Sequence, residues 1–466
     1  MMKQVYLYFS MALLVVLVAL LLSPASALLT LFLYFLFITI ISFSHITRRA
    51  ELEHVLTMYS IVFIANLAYV LLCQKYMQNH NYNFLLYYDT IDVFLPNTQD
   101  YINYNSNLFA ALKDIWGGYS IFNRFQAGYY TILTLLGFLA KLFEADLYYS
   151  IQLGSLAICS LLPIVLYRIL RLQNVSCKDS RSYSIIISLC SVSFIFSNVI
   201  LRDGMIALLI IYLIYLCLKE ISTINMVKIV AVIVTIITFR VETGLVCVIF
   251  IPFYLWNNRK QLQRFVFISL ISLCIIIALL WILWTNNTII TSLLHDNYNW
   301  YSAHVDEGAG MIARFQRLPP IISDVFSVIY TFLQPLPCWL RMDPSYNITL
   351  PECYNIMNFP NVFSAFFNFY VFVFAIFYLC NSDKSVKNSR NLIGKSFGWM
   401  LIPVCIFLFV QSSVVEQRRI LGAYLFLYIM WALVHHSQNS RWNRRILIVS
   451  VFGFLVLQIF ANLYLL

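Results

Sequence analysis

Two stretches decide the reading: residues 195–212, IFSNVILRDGMIALLIIY, and residues 236–250, IITFRVETGLVCVIF. Each is a long apolar run interrupted by one arginine with a carboxylate beside it, Arg202 with Asp203 and Arg240 with Glu242. A charge at membrane depth costs about 2.5–3.5 kcal/mol on insertion scales, so an arginine there marks a functional position by default. The rest of the chain reads as the scaffold that holds these arginines around a polar cavity.

The composition fits that frame. Of 466 residues, 61% are hydrophobic and only 11% charged, against about 25% charged in a soluble domain. Apolar runs of about 20 residues recur from one end to the other, which predicts an all-α, polytopic integral membrane protein. A β-barrel would show short alternating strands instead. The expected organisation is a single transmembrane domain over 1–466 with about 14 transmembrane helices. It carries a first long polar loop at 74–126 and a large extracytoplasmic loop at 286–360. The run VYLYFSMALLVVLVALLL is followed at once by ASALLTLFLYFLFITIISFS, so both are expected to be retained helices rather than a cleaved signal.

Charge orients the helices. The net charge is +10, and the basic loops near 168–182, 219–228, 257–264, 381–396 and 436–445 belong on the cytoplasmic side. The alternate connections, carrying Arg202, Arg240, the 286–360 loop and VVEQRR at 414–419, then face outward. That use of basic residues implies membrane lipids, and no nucleic acid, as partners. Before residue 168 two topologies remain: an outside N-terminus, or a crossing or re-entrant segment within 74–126. The stretch 229–256 is too long for one span of about 20 residues and too short for two. Either Lys228 snorkels, or Arg240 lies below the outer surface at the mouth of a broken helix pair.

Five arginines on the outer side, Arg202, Arg240, Arg341, Arg418 and Arg419, suit a pyrophosphate. A guanidinium offers a planar fork that matches phosphate oxygens two at a time and does not lose its proton. The competing reading is a set of structural ion pairs with Asp203, Glu242 and Glu416, or contacts to lipid headgroups. Asp89, Asp92 and Asp100 in the first loop are candidate bases for deprotonating an acceptor hydroxyl. The tyrosines and asparagines around them suit sugar binding, and equally suit any polar loop. Cys338 and Cys353 sit in a Pro-rich part of the large loop on the oxidising side and are expected to form a disulfide. The other cysteines mostly lie singly in apolar runs, as small hydrophobes. His295, Asp296, His304, Asp306 and Glu307 match no ligand spacing, so no metal site is expected. Asn286 and Asn347 lie in Asn-x-Thr sequons. The chain has no Gly-Lys-Ser/Thr phosphate loop and no Rossmann glycines. No cofactor is expected, and the energy should come from an activated lipid-linked substrate or an ion gradient.

The order of features resembles a known family. TQDYINYNSNLF resembles the Asp-Tyr-x-x-Tyr motif of the EpsG-type, Wzy-like polysaccharide polymerases. AGYYTILTLLGFLAKLF and LYRILRL follow it, and then LRDGMIALLIIYLIYL, an arginine opening a helix of small and branched residues. The likeness covers roughly residues 95–256, and PLPCW and EQRRILGAYLFLY are similar to features of related polymerases. It implies polymerisation of undecaprenyl-pyrophosphate-linked oligosaccharide repeat units into O-antigen, capsule or exopolysaccharide. That takes place at the outer face of a bacterial inner membrane, with a chain-length regulator as a further partner. Carried over by residue, Asp100, Tyr101 and Tyr104 match the first motif and Arg202 the helix-opening arginine. Asp203 stands where glutamine is common, and Arg240 replaces a frequent histidine, which leaves Asp100 or Glu242 as the expected base. Two other classes remain open. One is a GT-C-type membrane glycosyltransferase using a polyprenyl-phosphate sugar, with Asp89 and Asp92 in its first acidic loop. The other is a flippase or transporter of lipid-linked oligosaccharide.

Overall fold

The structure, a computed structural model, describes residues 2–44, 49–80, 94–117, 126–258, 359–380, 398–412, 417–438 and 440–465, with isolated positions 322, 329 and 333. Among the described residues the chain is all-α, with no strand. Five helical segments are long and apolar enough to cross a membrane: Pro24–Ser44, Glu51–Gln74, Leu147–Leu172, Phe359–Tyr378 and Arg441–Phe460. Shorter apolar helices lie between them, Ala127–Phe143 and Thr223–Phe239 for example. A further apolar run at 265–285 lies outside the described residues.

The first three helices are α1 (Met2–Leu21), α2 (Pro24–Ser44) and α3 (Arg49–His80). Ser23 caps α2, its Oγ accepting from Ser26 N at 3.0 Å, and Pro24 opens it at a position where a missing N–H costs nothing. Next come α4 (Leu95–Tyr104) and α5 (Leu108–Gly117), both inside the stretch expected to be a polar loop. The reason is amphipathy. Phe94, Thr98, Tyr101 and Ile102 fall on one face at helical spacing and are buried, while Gln99, Asp100 and Asn103 between them are exposed. A ten-residue helix is about 15 Å long, half the hydrocarbon thickness, so neither spans alone.

The central bundle follows: α6 (Ala127–Phe143), α7 (Leu147–Cys159), α8 (Leu162–Leu172), α9 (Cys177–Cys190) and α10 (Val192–Ser197). Helix α6 stops at Glu144, whose backbone is left-handed at φ 58. Ala145 N then donates back to the Ala140 carbonyl at 2.9 Å, satisfying an end-of-helix acceptor. Asp146 caps α7 by accepting from Tyr149 N at 2.7 Å, and Ser176 caps α9 through Asp179 N at 3.1 Å. The bundle continues with α11 (Arg202–Cys217), α12 (Thr223–Phe239), α13 (Val241–Cys247) and α14 (Phe250–Asn257). The late part supplies α15 (Phe359–Cys380), α16 (Leu401–Ser412) after a 3-10 turn at Gly398–Met400, α17 (Gln417–Ser437) and α18 (Ser440–Leu465).

The distribution of side chains is inside-out relative to a soluble protein. Phe9, Leu20, Phe43, Phe452, Ile459 and Phe460 are exposed on the outer helices, whereas Thr30, Asn66, Gln152, Asn198, Asp203 and Arg240 are buried. An exposed apolar face of that extent needs an apolar surrounding, and interior hydroxyls and amides suit helix contacts in lipid. Thr30 and Tyr149 share a hydrogen bond at 2.8 Å across α2 and α7, as do Tyr34 and Ser60 at 2.8 Å across α2 and α3. Helices and surface together are those of a membrane protein.

Candidate active site

Arg202 and Arg240 come together. Helix α12 ends at Phe239, α13 begins at Val241, and Arg240 is the corner between them, extended at φ −157 and ψ 109. Its backbone serves both helices, the N–H donating to the Ile236 carbonyl at 2.8 Å and the carbonyl accepting from Gly244 N at 3.0 Å. The corner is tight. A Cβ on Gly244 would stand 2.6 Å from Ile237 N and 2.7 Å from its Cα, so only glycine lets the two helices approach this closely.

A second turn lies alongside. Between α10 and α11 the chain runs through the non-helical link Asn198–Leu201, every residue of which is buried. Arg202 then opens α11 with Asp203 in the first turn, where a carboxylate is favoured by the helix dipole. The Arg240 guanidinium stands 2.8 Å from Asp203 Oδ1 as an ion pair, with side chains only 5% and 1% exposed, and neither carboxylate oxygen has a partner in hydrogen-bond geometry among the described residues. Arg202, partly exposed, donates through Nη1 to the Phe239 carbonyl at 3.2 Å. Three charged groups from two turns therefore meet at one point, and the ion pair is crossed: Arg240 takes the carboxylate that neighbours Arg202 in sequence. Successive helical residues do not face each other, which is why the local pairing suggested by the sequence does not form. Glu242 is partly exposed in the first turn of α13 and makes no ion pair with another described residue.

Helices α11, 16 residues, and α12, 17 residues, are each about 24–26 Å long and carry the arginine cluster at the ends away from the turn joining them at Lys219–Ser222.

Aromatic residues wall the cluster. Tyr129 on α6 is fully buried, packs on Phe239 at 6.0 Å between ring centroids and lies within electrostatic reach of Asp203 and Arg202. Its hydroxyl has no hydrogen-bond partner among the described residues. Gly128 makes the approach possible, because a Cβ there would stand 2.2 Å from Thr238 Oγ1. Helix α4 docks on the same part of α6. Phe94 packs edge-on to Tyr129 at 5.0 Å, Tyr101 edge-on to Tyr130 at 5.7 Å, and Asn97 Nδ2 donates to the Tyr130 hydroxyl at 2.9 Å. The Asp-Tyr-x-x-Tyr segment is thus joined to the arginines through α6.

Of the three motif residues, Asp100, Tyr101 and Tyr104, only Tyr101 is buried. Tyr104 is 83% exposed, and Asp100 is exposed on the same outward face without an ion pair to any described residue. Arg418 and Arg419 fall in the first turn of α17, which packs on α11 where a Cβ on Gly422 would meet Ile210 at 2.6 Å. Asp89, Asp92, Arg341, Cys338, Cys353 and most of the 286–360 loop lie outside the described residues.

The sequence reading missed Tyr129 and the buried amides Asn66, Gln152 and Asn198. Their signal was present: each amide is a lone strong hydrogen-bonding group inside an apolar run, the pattern that marks an interhelical bond in lipid. Tyr129 gave no such signal, being one of many tyrosines in apolar context. No protein-family model, no curated protein and no solved structure matches the chain.

Proposed function

We propose that the chain is a membrane glycosyltransferase that polymerises undecaprenyl-pyrophosphate-linked oligosaccharide repeat units at the outer face of a bacterial inner membrane. The observation that carries this reading is the convergence of Arg202 and Arg240 from two adjacent turns on one point, with the Tyr/Asn-rich α4 docked beside them on α6. The resemblance of residues 95–256 to Wzy-like polymerases supplies the substrate class.

In this reading Arg202 is the group that meets the pyrophosphate, since it is partly exposed, while Arg240, locked to Asp203, fixes the geometry of the turn. The acceptor sugar hydroxyl attacks the anomeric carbon of the donor. The bond from that carbon to the pyrophosphate oxygen breaks, and the guanidinium stabilises the charge gathering on the departing pyrophosphate. Glu242, partly exposed and two residues from Arg240, takes the hydroxyl proton. Tyr101 and Tyr104 belong to the sugar-binding side.

The test is polymer length in cells carrying single variants. Arg202→Ala is expected to abolish long-chain polymer while single repeat units persist on lipid. Arg202→Lys, which keeps the charge but loses the bidentate fork, should fall between Arg202→Ala and the wild type. Full-length polymer in Arg202→Ala would overturn the proposal.

A further inference from the structure

The link Asn198–Leu201 is fully buried and non-helical, so its backbone groups need partners that a helix would have supplied. Three side-chain amides meet at this link, and one of them satisfies the Asn198 carbonyl. Gln152 Nε2 on α7 donates to the Asn198 carbonyl at 2.7 Å. The Asn198 side-chain nitrogen donates to Asn66 Oδ1 on α3 at 2.9 Å and to the Phe194 carbonyl on α10 at 2.7 Å. Asn66 Nδ2 in turn donates to Ser160 Oγ at 3.1 Å, just past the end of α7. Asn198 N donates to the Ile195 carbonyl at 3.1 Å, and Leu201 N closes on the Val199 carbonyl at 2.8 Å.

Four features set this cluster apart from ordinary helix glue. It ties α3, α7 and α10 both to one another and to the first residue of a non-helical segment. All three amides are between 0% and 1% exposed. Each amide nitrogen has an acceptor, while the side-chain oxygens of Gln152 and Asn198 have no partner among the described residues. And the segment held in this way ends at the residue before Arg202, so any slack in it becomes displacement of Arg202 and Asp203 relative to Arg240.

We propose that Asn198 is the positioning residue of the arginine site, acting with Gln152 and Asn66 to fix where Arg202 and Asp203 stand against Arg240. Asn198 touches no substrate; it acts through Arg202. That its loss weakens the grip on a lipid pyrophosphate rests on the polymerase reading above, whereas its hold on the link does not.

The experiment uses the full chain in lipid nanodiscs with two variants, Asn198→Ala and Gln152→Ala, the second removing only the bond to the Asn198 carbonyl. Amide hydrogen exchange is measured along α10 and α11, and undecaprenyl-pyrophosphate binding is measured in parallel. Exchange at residues 199–203 is expected to rise about tenfold, the factor corresponding to about one lost buried hydrogen bond, with the rest of α11 unchanged. Pyrophosphate affinity is expected to fall about tenfold with Asn198→Ala and to fall no further when Arg202→Ala is already present, the non-additivity of residues acting as a unit. Unchanged exchange at 199–203 in both variants, or a rise spread evenly over α7, α10 and α11, overturns the positioning role. An equal further loss of affinity in the Arg202→Ala background overturns it too. Absence of lipid-pyrophosphate binding by the wild type sinks the polymerase reading, and the exchange profile then decides the positioning role alone.

Discussion

Replacing Asp203 by leucine leaves the Arg240 guanidinium buried without its counter-charge. At 2.8 Å and an effective dielectric near 20, the Coulomb attraction between the two groups is about 6 kcal/mol. Desolvation of both ions offsets most of it, so the pair as a whole contributes little over an apolar pair of the same size. Removing one partner is different, because the desolvation of the survivor is no longer compensated. Asp203→Leu and Arg240→Met are each expected to destabilise the folded chain by about 3–5 kcal/mol, while the double variant Asp203→Leu with Arg240→Met recovers most of that loss. The assay is reversible unfolding in mixed micelles for all four proteins, read as a double-mutant cycle. Losses that simply add in the double variant, or single losses under about 1 kcal/mol, would refute the pairing. The same double variant separates stability from activity: it should fold and make no long-chain polymer.

Other changes test the surroundings. Gly244→Ala forces the corner at Arg240 open, because its Cβ meets Ile237 backbone at 2.6–2.7 Å, and should cost about 1–3 kcal/mol in the same unfolding assay together with loss of polymer. Tyr129→Phe removes a buried hydroxyl that has no partner among the described residues; stability should stay within about 1 kcal/mol or rise, and lower polymer yield at unchanged stability would assign the hydroxyl to the site. Asn97→Ala removes the bond to Tyr130 and should cost about 1 kcal/mol, seen as faster hydrogen exchange over residues 95–104 with α6 unaffected.

The membrane character and the unusual placement of two arginines were legible in the sequence, because both rest on transfer energies that act residue by residue. Arg202 and Arg240 interrupt apolar runs, and no local context hides that. The pairing was not legible. Asp203 follows Arg202 and Glu242 lies two residues past Arg240, yet the bond runs from Arg240 to Asp203, since helical geometry turns neighbours apart and the partner comes from the adjacent turn. Helix α4 was hidden for another reason: its buried face is built from Phe94, Thr98, Tyr101 and Ile102, whose helical spacing is masked by the Asn- and Tyr-rich composition around them. The amide cluster at Asn198 depends on three helices far apart in sequence, so only the lone polar residues themselves could be seen in advance.

The crossed pair also bears on how the chain is made. Helices α11 and α12 are joined by the short turn at Lys219–Ser222, and their charged ends lie together at the far side. Synthesis delivers Arg202 and Asp203 first and Arg240 only afterwards, at the end of the following helix. An arginine entering alone carries a transfer cost of about 2.5–3.5 kcal/mol; one that arrives beside a waiting carboxylate does not carry all of it. If Asp203 receives Arg240 as α12 enters, the efficiency with which α12 integrates should depend on a residue in the preceding helix.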